Sequence, residues 1–527
     1  MKRLSKLLFF SGAVLAWLVM IALGLEVWER IHWQRILDGN PYVLARLGRG
    51  AWPLPAGPDT FSPELQDAAS RDRCRGAGQS QVLLPVPDAK VMTMRRAMHF
   101  ALLEDWERYA FATDYRVRAV LVDGRGMVVK AYAEVNYAGG KTLADFVGAE
   151  DAPRIAAVLS RLVDGGPPEV LDGNGGTAWF CAAACENPGP PGPDSQARPP
   201  YAAVFWPAPG ESGPDAQKGA DADSIWDVPF FSYRAHEKRE AQKNVLGVSE
   251  QFSINNVGLR DDDVVLPKPP GVFRVLCMGA STTEEGPAND LTYPNVLEYL
   301  SNNKFGGQHI DVINAGVSGM NSLKHKVKLA DYLALQPDLI VVYVAVNDIC
   351  HDLFKLWVKD AEPWQKRLRE SRFLNNHFNA WLLPGEERMV GDIRRAKMSN
   401  LRFIVEQARA AGVETVFCTF AAPEPEKLGP AGREYMDCYT LLEWGGRYVT
   451  FSSYLRALAL FNRETAALGT ETGVPVIDVA AELHGGTDLF GDICHMKNRG
   501  IEAKARTIFD RISPLLEDRL SQRGLVP

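Results

Sequence analysis

Several features that define common protein classes are missing from this chain or scarce in it. Lys and Arg (58) are outnumbered by Asp and Glu (65), and a net charge of −7 speaks against the basic surface that nucleic-acid-binding proteins carry. Eight cysteines in 527 residues do not make a disulfide framework. The nucleophile elbow Gly-x-Ser-x-Gly does not occur anywhere in the sequence. Nucleic-acid binding, a disulfide scaffold and the ordinary α/β-hydrolase class are therefore not expected.

Metal, cofactor and phosphate sites also lack support in the sequence. The two cysteines of CAAAC, residues 181–185, could form a local disulfide or a metal pair, but no second Cys or His pair stands at ligand spacing nearby to support either alternative. One further set of potential ligands lacks the spacing that metal sites show: Cys350, His351, Cys494 and His495. In GASTTEEG, residues 279–286, no lysine follows the glycine, and two glutamates would repel a bound phosphate. We expect neither a metal ion nor a cofactor.

Charge is absent from one long run near the N-terminus, LLFFSGAVLAWLVMIALGL, residues 7–25. As a helix, these 19 residues span roughly 28 Å, which is long enough to cross a bilayer. Basic residues precede the run and acidic residues follow it, so the positive-inside rule places the N-terminus in the cytoplasm. Residues 1–29 are therefore predicted to be a single-pass anchor in the cell (inner) membrane, with the rest of the chain outside the cytoplasm. A cleaved signal peptide is the alternative, because Ala22 and Gly24 suit a cleavage site.

Proline and glycine divide the remaining chain into segments. Residues 30–81 are mixed in character and punctuated by Pro and Gly, which predicts a connector. A small α+β domain is predicted over residues 82–210, with a proline-rich insertion at 186–200 that cannot continue a helix or a central strand. Residues 211–271 are interpreted as a linker and lead-in, and residues 272–515 as a larger C-terminal domain.

The small domain contains a hairpin signal. In RAVLVDGRGMVVKAYAE, residues 118–134, two β-rich runs flank an Asp-Gly turn. An amphipathic helix is predicted next, at 142–166, and a strand at 201–208. The DGRG turn and the LADFVGAEDAPRI segment that starts the helix resemble a PAS-like sensory or scaffold module. An unrelated α+β domain is the alternative.

From residue 272 onwards, β-rich runs alternate with helical segments. Strands are predicted at FRVLCMG (273–279), IDVIN (310–314), DLIVVYVAV (338–346), ETVFCTF (414–420) and VPVIDV (474–479). Helical segments are predicted at 291–303, 321–334, 451–468 and 500–518. This alternation predicts an α/β domain in which a parallel sheet carries helices on both faces. Ligands of such sheets bind beyond the carboxyl ends of the strands.

Polar or small residues that could take part in catalysis follow these strands. Ser281 lies in GASTT after the first strand, Gly319 in NAGVSGMN after the second, and Asn347 in AVND after the third. Asp492 and His495 follow the last strand, in GDICHMKNRG. Each has an ordinary structural explanation as a helix cap, a turn residue or a structural histidine. Because the loops converge on one edge of the sheet, their combination instead predicts a nucleophile, oxyanion donors, a base and the residue that orients it.

These four blocks, in this order, resemble the SGNH (GDSL-like) hydrolase superfamily of esterases, lipases and carbohydrate deacetylases. The resemblance implies a three-layer α/β/α, flavodoxin-like fold. It implies that Ser281 is the nucleophile and that its N–H, with Gly319 and the Asn347 side chain, forms the oxyanion hole. It also implies that His495 is the catalytic base and that Asp492 orients its imidazole and stabilises the cation that forms.

The resemblance covers residues 272–515 and departs from the family pattern at two positions. Ala280 replaces the aspartate of the first block and Ala345 the glycine of the third, which leaves substrate and rate open. The expected function is that of a membrane-anchored, extracytoplasmic serine esterase acting on an acylated small molecule or carbohydrate, such as envelope or exported polysaccharide. An O-acyltransferase of the same fold is one alternative. A catalytically silent sensor or assembly protein is an alternative from another class.

Overall fold

The computed structural model describes most of the N-terminal and C-terminal parts of the chain and the regular elements between them. The described residues are 2–47, 49, 59–70, 117–122, 127–132, 142–163, 169–172, 178–184, 201–207, 238–243, 249–307, 309–443 and 449–525. The proline-rich insertion predicted at 186–200 lies outside them.

The N-terminal part of the chain is helical. It forms helices α1 (Lys2–Gly39), α2 (Pro41–Arg46) and α3 (Pro63–Ser70). The side-chain oxygen of Asn40 accepts hydrogen bonds from the N–H groups of Tyr42 and Val43, so this residue caps α2. Nowhere in the described part of the chain does a helix combine the length and the apolar character that a membrane crossing requires.

Part of the predicted connector, residues 30–81, is instead built into the C-terminal domain. Five of its side chains are almost fully buried in the same hydrophobic core as the parallel sheet: Trp33, Ile36, Val43, Phe61 and Leu65. Two of the prolines that suggested a connector, Pro41 and Pro63, instead begin the short helices α2 and α3. Burial of these five apolar side chains makes the described part of this segment a folded part of the domain.

The small domain contains an antiparallel sheet. Its strands are β1 (Val117–Val122), β2 (Val128–Tyr132), β3 (Glu169–Asp172), β4 (Ala178–Ala184) and β5 (Tyr201–Pro207), in the order β2-β1-β5-β4-β3. Strands β1 and β2 form the predicted hairpin. The predicted helix at 142–166 is divided into α4 (Ala144–Val147) and α5 (Ala152–Val163), because Gly148 takes a positive φ of 89° between them. The PAS-like resemblance of this α+β arrangement stays a prediction.

The predicted linker, residues 211–271, ends in folded structure. Strands β6 (Lys238–Lys243) and β7 (Ser249–Ser253) pair as an antiparallel hairpin. After them, Val257, Leu259 and Arg260 are almost completely buried against the C-terminal domain. This lead-in is therefore part of the domain, because its apolar side chains fill the same core.

The C-terminal domain is built on five parallel strands, which confirms the predicted parallel-sheet α/β class. They are β8 (Phe273–Gly279), β9 (Ile310–Gly316), β10 (Leu339–Tyr343), β11 (Glu414–Cys418) and β12 (Val476–Ile477), in the order β12-β11-β10-β8-β9. Every residue of β8 and β10 is buried, as expected for strands covered on both faces. Strand β12 is shorter than predicted, because it lies at the edge and Pro475 before it has no N–H to donate.

Helices surround this sheet. They are α6 (Ser281–Glu284), α7 (Tyr293–Phe305), α8 (Ser322–Ala334), α9 (Phe354–Lys359), α10 (Pro363–Leu368), α11 (Arg372–Leu382), α12 (Glu386–Ile393), α13 (Ser399–Ala410), α14 (Pro430–Glu443), α15 (Phe451–Thr472), α16 (Val479–Glu482) and α17 (Asn498–Gln522). Two π-helical turns, Asp348–Leu353 and Arg394–Met398, and two 3₁₀ turns, Asn289–Leu291 and Pro425–Lys427, complete the domain.

The strand order places the helices on both faces. From β8 the chain moves outwards to β9 and then returns past β8 to β10, so right-handed crossovers put α7 and α8 on opposite faces. Helix α17 packs beside α7, and α13 packs beside α8. The reversal of direction lies between β8 and β10, and ligands of open α/β sheets bind at such a point.

Truncation of a buried N-terminal side chain tests whether residues 59–70 belong to this core. Phe61 is only 4% exposed, so we expect Phe61→Ala to lower the free energy of unfolding of the domain by about 3–5 kcal/mol. Leu47, 46% exposed, is the control, and Leu47→Ala should change it by no more than about 0.5 kcal/mol. Calorimetry of the full chain measures both, and native stability of Phe61→Ala would show that the segment lies outside the core.

Candidate active site

Three of the predicted residues form a hydrogen-bonded chain at the carboxyl edge of the sheet. Ser281 is the first residue of α6 and directly follows β8 and Ala280. Its Oγ lies 2.9 Å from Nε2 of His495, and Nδ1 of His495 lies 2.7 Å from Oδ2 of Asp492. The structure thus brings together Ser281, His495 and Asp492 from segments more than two hundred residues apart.

Asp492 shapes the loop that carries His495. Its Oδ1 accepts the backbone N–H groups of Cys494 at 2.9 Å and of His495 at 2.7 Å, so the three-residue spacing closes an Asx-type turn. The chain also approaches itself closely on either side of His495. A Cβ at Gly500 would lie only 2.4 Å from the Leu489 carbonyl oxygen, so this approach requires glycine. Residues 487–497 are called the catalytic loop below.

The charges of Asp492 and His495 stabilise each other. Burial alone would raise the pKa of Asp492, but the nearby imidazolium and the hydrogen bonds that the carboxylate accepts bring it down to about 2. Burial likewise acts to lower the pKa of His495, but the Asp492 carboxylate outweighs it and holds that pKa above the ordinary value of about 6.5. Asp492 therefore stays ionised at neutral pH, and the imidazole is a stronger base than a free histidine.

These residues also offer three potential metal-ligand atoms. Donor atoms of Asp492, Cys494 and His495 lie within 4.8 Å of one another. Both oxygens of Asp492, however, already accept hydrogen bonds, and Nε2 of His495 faces Ser281. The donors are thus committed to a Ser-His-Asp arrangement.

The two predicted oxyanion residues lie on the loops that follow the strands on either side of β8. Gly319, after β9, has a positive φ of 77°. Asn347, after β10, is 7% exposed, and its Nδ2 donates to the Met320 carbonyl at 2.7 Å. A side-chain amide has two N–H groups, so this bond orients Asn347 and leaves its second hydrogen for another acceptor.

A buried clamp, which sequence reasoning missed, joins these two loops. Asp348 accepts the backbone N–H of Ser322 at 3.0 Å and its hydroxyl at 2.5 Å. Asp352 accepts the Asn321 side-chain amide at 2.8 Å and the Lys397 ammonium at 2.6 Å. Burial raises the pKa of Asp348 to about 6, although the charge of Lys397 opposes this. The clamp holds the segment around Gly319 against the segment around Asn347.

A buried ion pair lies beneath Ser281. Lys504, fully buried on α17, donates to Glu285 Oε1 at 2.9 Å and to the Thr282 carbonyl at 2.5 Å. Glu285 Oε2 accepts the N–H of Met496 at 2.8 Å, so the pair connects α6, the catalytic loop and α17. Burial raises the pKa of Glu285 despite the neighbouring ammonium. A sequence signal existed, because Lys504 stands at helical spacing between the buried Ile501 and Ile508.

Two arginines from outside the predicted catalytic domain also reach the site. Arg260, in the lead-in, is fully buried and donates to the carbonyls of Glu284 and Gly286, both at 2.8 Å. Arg46, on α2, lies 4.4 Å above the Tyr439 ring, and its charge acts to lower the pKa of His495. Neither residue belongs to a recognisable motif, so only the fold reveals them.

Residues 277–503 match the model of the GDSL-like Lipase/Acylhydrolase family. No curated protein matches the sequence. Similar solved structures include a putative lipolytic protein of the G-D-S-L family from Desulfitobacterium hafniense DCB-2, 13% identical over 45% of this chain and 98% of that one, with a TM-score of 0.27. A putative acylhydrolase from Bacteroides fragilis NCTC 9343 is 17% identical over 48% and 92%, with a TM-score of 0.29. A catalytic mutant of the acetylxylan esterase Axe2 from Geobacillus stearothermophilus is 16% identical over 46% and 94%, with a TM-score of 0.31.

The family match confirms the resemblance that the four sequence blocks suggested. Residues 277–503 belong to the GDSL-like lipase/acylhydrolase family, and this domain is a serine hydrolase that acts on ester bonds.

Proposed function

We propose that Ser281, His495 and Asp492 are the catalytic triad of this acylhydrolase. The observation that carries the proposal is the continuous hydrogen-bonded chain from Ser281 Oγ through the imidazole to the buried carboxylate. A sensor or assembly protein without turnover has no need of this alignment. The geometry therefore favours an active enzyme over a silent one.

The proposed reaction follows from the positions of these groups. His495 Nε2 removes the proton from the Ser281 hydroxyl as its oxygen attacks the ester carbonyl, and a covalent acyl-enzyme forms when the alcohol leaves with that proton. Water then attacks the acyl-enzyme, again with His495 as the base, and releases the acid. Asp492 remains ionised and stabilises the imidazolium in both steps.

In the proposed oxyanion hole, three N–H donors face the charge that develops on the carbonyl oxygen. The N–H of Ser281, at the start of α6, has no partner within that helix. Gly319 offers its backbone N–H, and Asn347 offers the amide hydrogen that the Met320 carbonyl leaves free. The clamp between Asp348 and Ser322 keeps the last two donors in fixed relative positions.

The proposed substrate is an acylated carbohydrate, such as envelope or exported polysaccharide, from which the enzyme removes a small acyl group. Support comes from the proposed location outside the cytoplasm, where such polymers are found. Product analysis with a panel of acylated sugars and short-chain esters tests this choice. Transfer of the acyl group to a sugar hydroxyl, with no free acid released, would identify an O-acyltransferase instead.

We also propose that residues 1–29 attach the enzyme to a membrane. The support is the uncharged run at 7–25 with basic residues on one side only. In addition, α1 exposes large apolar side chains such as Trp17 and Trp28, and Trp381 of the neighbouring α11 is 74% exposed. Tryptophan is enriched where proteins meet the membrane interface.

A topology reporter tests this attachment. Alkaline phosphatase fused after Pro527 should be active, because the basic residues at the N-terminus hold that end in the cytoplasm and send the remainder across. The same fusion without residues 1–29 is the control and should be inactive in the cytoplasm. A β-galactosidase fusion at the same position that is active in the intact chain would reverse the topology.

An active-site probe tests the triad. A fluorophosphonate should label Ser281, and Ser281→Ala should abolish labelling, whereas His495→Ala should slow it by several orders of magnitude because the hydroxyl loses its base. Asn347→Ala should lower kcat by roughly 10² to 10³, since other oxyanion donors remain. Ser318→Ala, in the neighbouring loop, is the control and should label normally. Labelling that survives in Ser281→Ala would end the assignment.

The pH dependence of that labelling reports the charge state of His495. Only the neutral imidazole accepts a proton, so the rate should fall as the pH drops through the raised pKa of His495, above about 6.5. Arg46→Gln removes a charge that lowers this pKa, so the fall in labelling rate should begin at a higher pH. Glu285→Gln removes a charge that raises this pKa, so the fall in labelling rate, the acidic limb of the profile, should move to lower pH. Arg49→Gln, with the same charge change, should leave the profile unchanged. Identical profiles in all four proteins would contradict the assignment of the limb to His495.

A further inference from the structure

An N-terminal segment contacts the first residue of the catalytic loop and the start of α17, which directly follows that loop. This segment, the described residues 40–47 and 59–62, is called the brace. It lies more than four hundred residues before the catalytic loop in the sequence. Its apolar side chains Val43 and Phe61 are buried in the core of the hydrolase domain, so the brace is attached firmly.

The first contact is made at the start of the catalytic loop. The hydroxyl of Tyr42 donates to Oγ1 of Thr487 at 3.2 Å, and the Tyr42 ring stacks on Tyr435 of α14 with the centroids 5.5 Å apart. Asn40 holds the same helix through its Nδ2, which donates to the Ala431 carbonyl at 2.8 Å. Helix α2 is thus fixed between α14 and the loop.

The second contact is made just after the catalytic loop, where α17 begins. The Asp59 carboxylate accepts the N–H of Arg499 at 3.2 Å, and its backbone carbonyl accepts the Asn498 side chain at 3.0 Å. The residue at the N-cap of α17, Lys497, makes no side-chain capping bond of its own. Asp59 therefore supplies the acceptor that a local cap would provide, and its negative charge suits a helix N-terminus.

Between these two contacts the catalytic loop is closed on itself. The N–H of Gly491 donates to the His495 carbonyl at 2.9 Å, and the N–H of Lys497 donates to the Leu489 carbonyl at 2.8 Å. The loop therefore moves as one piece, and contacts at Thr487 and at the start of α17 set the place of His495 relative to Ser281. Misplacement of a catalytic group by about 1 Å can cost a hundredfold in rate.

We infer that the brace positions the catalytic loop, so that Tyr42 and Asp59 are positioning residues for His495. The inference rests on the proposed triad. It makes the catalytic unit discontinuous in sequence, because the small domain is inserted between the brace and the hydrolase sheet. The predicted catalytic domain at 272–515 therefore lacks an element that its own active site uses.

A double-mutant cycle tests the contact with Thr487. In the full chain, Tyr42→Phe and Thr487→Val each remove the same hydrogen bond and should each lower kcat by about threefold to tenfold, with KM unchanged. The double variant should lose no more than either single variant, because only one bond is shared. Additive losses, or native kcat in Tyr42→Phe, would overturn the role of this contact.

The contact with α17 has a matched set of variants. Asp59→Ala should lower kcat about tenfold, and Asp59→Asn should recover most of it because the amide oxygen still accepts the Arg499 N–H. Glu64→Gln is the control, since Glu64 forms an exposed ion pair with Arg506, which lies on α17 beyond the loop. An equal loss in Glu64→Gln would show a general effect on stability and would overturn the positioning role.

Hydrogen exchange separates this inference from the proposed function. Amide exchange of residues 487–499, followed by mass spectrometry, should accelerate in Tyr42→Phe and Asp59→Ala and stay native in Glu64→Gln, whatever the enzyme turns over. Unchanged exchange in both brace variants would refute the brace. Accelerated exchange in a protein whose Ser281 reacts with no probe would leave the brace standing and refute the triad.

Discussion

The 2.7 Å contact between Asp492 and the ring of His495 is the interaction on which the rest of this active site depends. Asp492 is fully buried, so its charge must be balanced by hydrogen bonds, and two backbone N–H groups with the imidazole supply them. The same bonds fix which ring nitrogen faces Ser281. The fold of the loop and the direction of the proposed proton transfer therefore both depend on Asp492.

This arrangement needs support from several sides, because a buried charge does not by itself hold a loop in place. The Glu285–Lys504 pair holds the loop from below, and removal of either partner would leave the other charge buried and unpaired. The clamp around Asp348 holds together the two loops that carry Gly319 and Asn347, the proposed oxyanion donors. The Glu285–Lys504 network thus joins the proposed nucleophile to the proposed base, and a second network around Asp348 holds the proposed oxyanion donors.

Local pattern predicted the strands of the parallel sheet, and β8 matches its predicted bounds. The roles of the five site residues stay predictions, although Ser281, His495 and Asp492 lie in one hydrogen-bonded chain. The residues that support the active site could not be predicted from the sequence, because their partners lie far away in the chain. Asp59 and Arg499 are separated by 440 residues, and no periodicity links them. The connector at 30–81 was misinterpreted for the same reason: short helices with few apolar residues become buried only when a distant core covers them.

The small domain lies in the sequence between two segments that both contact the active site. The segment before it ends at the brace, which contacts the loop of His495. The segment after it contains Arg260, which donates to the carbonyls of Glu284 and Gly286 at the end of α6, the helix of Ser281. The two flanks of the small domain therefore lead to the two halves of the proposed triad. The proposed proton transfer requires Ser281 and His495 to stay within hydrogen-bond distance, so the 2.9 Å separation depends on both flanks keeping their places.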